Sequence, residues 1–140
     1  MIVLFLCILL STCVSNVKVM EAASPDGALK ARVVEGNGGA TTDFGYSIVL
    51  DRASFPHWEQ RVAYFYAAHR SDCAYGVNIR WSDNDTLVVS YLDARSADVS
   101  GSARLFGRKV QIVSHSGVTD PHAPCGGMEY AQHDRVTVVR

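Results

Sequence analysis

Gly76–Leu92, GVNIRWSDNDTLVVSYL, is the stretch that decides the fold, because two strands and their reversal can all be read from it. Val77, Ile79 and Trp81 alternate with Asn78 and Arg80, the period of a strand with one buried face. After Ser82-Asp83-Asn84-Asp85, the run Thr86 to Leu92 is again rich in β-branched and aromatic residues. Short Ser, Asp and Asn side chains hydrogen-bond neighbouring backbone and tolerate left-handed conformations, so the four residues between the runs have the chemistry of a hairpin turn.

Working outward, the same signals recur. Ser24-Pro25-Asp26-Gly27 is a turn sequence, and Leu29, Ala31 and Val33 then alternate with Lys30, Arg32 and Val34. Glu35 to Asp43 is rich in glycine and reads as a hairpin connection, after which Phe44 to Leu50 resumes as strand. The segment Ser54–Ser71 carries both a helical spacing (Trp58, Val62, Phe65, His69) and a strand alternation (Val62, Tyr64, Tyr66, Ala68). The propensity of Val-Ala-Tyr-Phe-Tyr favours a loop through Trp58 and a strand over about Arg61 to His69. Asp93 to Gly101 reads as a loop or weak edge strand, Arg108 to Ser114 as an alternating strand, His115 to Asp134 as a long irregular segment, and Arg135 to Arg140 as a closing strand. The expected fold is all-β, a small antiparallel sandwich or curled sheet of about six to seven strands. SPDG and SDND also resemble the turns of propeller blades, but 140 residues are too few for four four-stranded blades.

Met1 to Val14 carries no charge, and Ile2 to Leu10 has the length of a signal-peptide hydrophobic region, short of the roughly 20 residues that span a bilayer. No Lys or Arg precedes the apolar run, which leaves open a start upstream of Met1. Leu10-Ser11-Thr12-Cys13 has the form of a lipobox with Thr in place of the usual Gly or Ala, so lipidation of Cys13 stands beside cleavage near Ala22-Ala23 and an uncleaved anchor. The expected organisation is a signal or anchor over 1–14, a tether over 15–23 and one β domain over 24–140. The implied location is the bacterial cell envelope, either membrane-anchored through the N-terminal segment or periplasmic. In such an oxidising compartment Cys73 and Cys125 read as one disulfide, with two unrelated buried thiols as the alternative. Closing a loop of about fifty residues stabilises a fold by at most about 4 kcal/mol.

A net charge of -1, from 13 basic and 14 acidic residues without a basic run, excludes a phosphate-tracking surface, and no nucleic-acid partner is expected. His115, His122 and His133 lie in or beside one loop with Cys125, and His122-x-x-Cys125 has a ligand-like interval. A second tight pair is missing and a disulfide would consume the thiolate, so no metal or other cofactor is expected. No GxSxG elbow occurs, and His69 and Cys73 do not read as a nucleophile held at a helix N-terminus. No catalytic residue is therefore assigned. The aromatics Tyr46, Trp58, Tyr64 and Tyr66 exceed what one sheet face must bury, which makes them candidates for contact with a protein or glycan.

SPDG at Ser24, GATTDF at Gly39 to Phe44 and VNIRWSDNDTLVVSY together resemble a family of small bacterial envelope proteins that carry an N-terminal hydrophobic segment and an SPDG…CGATT…W-x-D-x-x-L pattern. The resemblance covers most of residues 24–92 and implies fold and location without any catalytic residue. Gly38 stands where that pattern has Cys. The reading is a non-enzymatic envelope protein whose β domain binds a partner. The alternatives are an inhibitor of a wall-lytic enzyme, and a metal-dependent or cysteine enzyme using the 115–133 loop.

Overall fold

The computed structural model describes residues 15–69 and 76–118. Cys13, Cys73, Cys125, His122, His133 and the strand expected over 135–140 lie outside the described residues. The described chain is all-β, with nine strands and no helix: β1 Ser15–Ala23, β2 Leu29–Asn37, β3 Gly45–Arg52, β4 Gln60–Tyr66, β5 Val77–Asp83, β6 Thr86–Tyr91, β7 Ser96–Val99, β8 Ser102–Leu105 and β9 Arg108–His115. They form a five-stranded sheet in the order β1-β2-β3-β4-β7 and a four-stranded sheet in the order β5-β6-β9-β8.

Alternation places the core as the sequence predicts. Leu29, Ala31 and Val33 of β2 and Tyr46, Ile48 and Leu50 of β3 face Val77, Ile79, Leu87, Val89, Val110 and Ile112 of the other sheet, all buried in one cluster. Phe65 and Tyr91 meet across the layers with ring centroids 4.8 Å apart, a separation at which tilted rings attract through their quadrupoles. The Trp81 indole donates to the Ala22 carbonyl at 3.1 Å, fastening β5 to β1.

Four expectations need correction. Residues 15–23 form β1, the edge strand along β2, rather than a tether: Met20 is buried, which gives the stretch an apolar anchor. The strand number exceeds six to seven because β1 and β8 are too polar or too short for periodicity to reveal, while the stretch Asp93 to Gly101, read as a loop or weak edge strand, does hold the edge strand β7. The sheets are not wholly antiparallel, since β6 and β9 run parallel. Between them the chain crosses to the other sheet as β7 and returns through β8, the kind of long connection a parallel pair requires. The hairpin turn is also tighter than four residues: Asp83 pairs with Thr86, leaving Asn84-Asp85 as the loop, with Ser82 taken up in a bulge.

The two turn sequences meet. Arg108 reaches from β9 to donate to the Asp26 carboxylate at 2.8 Å, to the Asp85 carboxylate and to the Asn84 carbonyl. The Asp26 amide in turn donates to Asn84 Oδ1 at 2.9 Å. One guanidinium thus ties SPDG to SDND across the two sheets.

Candidate functional site

Side chains on the outer face of the five-stranded sheet line a trough of about 350 Å³. Its floor is set by register. Asn16, Gly36, Gly45, Tyr66 and Ser96 are successive cross-strand partners from β1 to β7. Two glycines side by side leave the sheet bare at that row, and the neighbours close over the gap. A Cβ on Gly36 would come within 3.2 Å of Asn16 Oδ1. One on Gly45 would run into the Tyr64 ring at 2.9 Å from Cε2 and Cζ, so Tyr64 can lie over Gly45 only because that residue has no side chain.

The walls are polar and aromatic. Tyr64 and Tyr66 stand half-buried along one side, and Asn37 at the end of β2 with Gly38, Thr42 and Asp43 of the β2–β3 connection form the end. That connection is braced internally, because Asn37 Oδ1 accepts from the Gly39 amide at 2.9 Å and Thr42 Oγ1 donates to the Gly39 carbonyl at 3.2 Å. The Asp43 amide donates to Tyr66 Oη at 3.1 Å, and the Asp43 carboxylate pairs with Arg95 at 2.8 Å. Arg95 lies over the Tyr66 ring at 5.5 Å from its centroid, so Tyr66 is held at both its hydroxyl and its face.

Arg61 joins this face through a bulge. Ile48 pairs with Ala63 but Val49 pairs with Arg61, leaving Val62 as an extra residue turned into the core. Regular alternation would have put Val62 outward with Tyr64 and Tyr66; the bulge instead re-aims Arg61 there. Its guanidinium sits 5.6 Å from the Tyr64 ring centroid and has no carboxylate partner among the described residues. The acid of the trough is neutralised by Arg95 while Arg61 keeps its charge, so the site offers an available cation, two aromatic rings and planar amides.

The four aromatics expected to bind are therefore separated by the fold. Tyr64 and Tyr66 come together in the trough. Tyr46 does not: it is fully buried in the core, its hydroxyl donating to Glu35 at 3.0 Å. Trp58 is 67% exposed but lies on the β3–β4 loop, beside Leu105 and Phe106 of the other sheet. His115 is exposed at the end of β9. Among the described residues no group of three His, Cys, Asp or Glu could hold a metal ion. Asn16, Gly36, Gly45, Asp43 and Arg61 were not singled out from sequence. The neighbouring glycines could have been found only by aligning β2 with β3, and Arg61 only by placing the bulge.

The loop that carries Trp58 is organised by one buried carboxylate. Asp51 Oδ1 accepts from the amides of Arg52 and Trp58, each at 2.7 Å, and Oδ2 accepts from His57 Nδ1 at 2.9 Å. Burial alone would raise the Asp51 pKa, but these donors and the His57 ring outweigh it and hold the group below the ordinary carboxylate value.

No protein-family model, curated protein or solved structure matches this chain.

Proposed function

We propose that this is a non-enzymatic protein of the bacterial cell envelope, membrane-attached through its N-terminal segment or periplasmic, whose β domain binds a saccharide in the outer-face trough. The observation that carries the reading is the glycine-floored row between Asn16 and Tyr66, with the Tyr64 ring laid over Gly45. Sugar rings bind proteins through C–H faces on aromatic rings and through hydroxyls on planar amide, carboxylate and guanidinium groups. Tyr64 and Tyr66 supply the first; Asn16, Asn37, Asp43 and Arg61 supply the second. A trough of about 350 Å³ lies at the small end of ligand sites, the scale of one or two sugar rings.

The competing enzyme reading uses the 115–133 loop, of which only His115 to Val118 is described. The inhibitor reading makes no use of the trough, whose size and lining suit a small polar ligand.

Titration calorimetry of the full chain against β-1,4-linked N-acetylglucosamine oligomers tests the proposal. Binding is expected, weakened by about 1–2 kcal/mol in Tyr64→Ala from the loss of one aromatic contact. Gly45→Ala should weaken it further at little cost to stability, because the added methyl displaces only the mobile end of the Tyr64 side chain. Absence of heat at millimolar oligomer, or wild-type affinity in both variants, would overturn the reading.

A further inference from the structure

The opposite end of the molecule carries exposed aromatics that neither the core nor the trough uses. Phe55 is 86% exposed, Trp58 67% and Phe106 53%. Phe106 separates two hollows, one of about 310 Å³ against Trp58, Arg104 and Leu105, the other of about 180 Å³ against Leu29, Arg52 and Ser54. The Arg52 guanidinium lies 4.4 Å from the centroid of the Phe106 ring. Neither Arg52 nor Arg104 has a carboxylate partner among the described residues, whereas the nearby cations Arg32 and Arg108 are paired with acids.

Two further features show that this ridge is built and held. Phe106 occupies the first position of the two-residue β8–β9 turn with φ 50°, followed by Gly107 at φ 80°. Positive φ is a conformation that Asn or Gly adopts readily and an aromatic residue at a cost of order 1 kcal/mol, yet the Phe106 side chain is left 53% exposed. The second feature is the buried Asp51 carboxylate, which fixes the backbone of Arg52 and Trp58 together and so presents both in one orientation. A surface ordered in advance loses less entropy on binding.

We propose that Trp58, Phe106, Arg52 and Arg104 form a docking ridge for an extended acidic segment of a partner protein. The segment adds along the edge of β8, the terminal strand of its sheet among the described residues, so that alternate side chains reach the hollows. Its apolar side chains pack on Trp58 and Phe106, and its carboxylates meet Arg52 and Arg104. Concave spaces on both sides of one ring, next to a strand edge unpaired among the described residues, suit side chains of a peptide. A bilayer surface would use neither.

The test uses the full chain and a fluorescein-labelled peptide of alternating Val and Glu, followed by anisotropy. The same peptide with Gln for Glu, and vesicles of phosphatidylcholine with phosphatidylserine, serve as comparisons. Binding that tightens at low salt is expected, lost by about tenfold or more in Arg52→Glu/Arg104→Glu and in Phe106→Asn. The Phe106→Asn variant is also expected to melt no lower than the wild type, since Asn suits the turn, so its lost binding cannot be ascribed to unfolding. Equal binding of the Gln peptide, undiminished binding by Phe106→Asn, failure of the acidic peptide to bind, or binding to the vesicles in its place would each overturn the proposal.

Discussion

Asp26 shows how much one side chain can organise in a chain of this size. Its carboxylate accepts from the Ser24 hydroxyl at 2.6 Å and the Ala28 amide at 3.1 Å, and pairs with Arg108. The Ser24 hydroxyl and the Ala28 amide act first and the Arg108 guanidinium after them, together lowering its pKa from 3.8 to about 2. A carboxylate with a lowered folded pKa contributes stability above its ordinary value, and that contribution disappears as pH falls through the folded value. The SPDG turn should therefore weaken between pH 3.8 and about 2. Carboxyl NMR titration should place the Asp26 midpoint near 2, with Ser24→Ala raising it more than Arg108→Ala does. The reverse order would mean that the guanidinium dominates. The turn itself was legible from Ser-Pro-Asp-Gly, because its chemistry is local. That Arg108 closes it, 82 positions away, depends on the approach of two sheets and leaves no mark in the sequence.

At the scale of elements, regular alternation was readable and its interruptions were not. Leu29, Ala31, Val33, Val110 and Ile112 are buried where a period of two puts them. Val62 breaks the period in β4, and with it the set of residues that share a face with Tyr64 changes. A bulge depends on what the partner strand offers, so propensity does not locate it. Deleting Val62 would remove the extra residue and restore an unbroken ladder, with Arg61 still opposite Val49 on the outer face and the Val62 side chain lost from the core, so the cost should appear in stability rather than in the trough. β1 was missed for a related reason: with Lys18 and Glu21 exposed and Met20 as its one fully buried side chain, it carries too little pattern. A chain beginning at Ser24 should lose at least about 2 kcal/mol from Met20 burial alone. Because Trp81 would also lose its Ala22 partner, its fluorescence should shift to the red in urea titrations of that variant. Unchanged stability and emission would show that β1 contributes nothing.

For the whole molecule, two sheets with opposite outer roles follow from a topology that local signals could not supply. The chain passes from one sheet to the other and back through β7 and β8, and this crossing makes β6 and β9 parallel. It also brings the β8–β9 turn beside the β3–β4 loop, creating the aromatic ridge, while β1 to β4 leave the glycine row open on the far face. Tyr64 and Tyr66 were visible as surplus aromatics; that they share a trough with Asn16 and Arg61, while Tyr46 is buried, is a property of register. The most direct test of the saccharide trough is a two-dimensional amide NMR titration of the full chain with β-1,4-linked N-acetylglucosamine oligomers. Shifts are expected to be confined to Asn16, Gly36, Asn37, Asp43, Gly45, Arg61, Tyr64 and Tyr66. Shifts centred elsewhere, or none at saturating oligomer, would contradict the proposal.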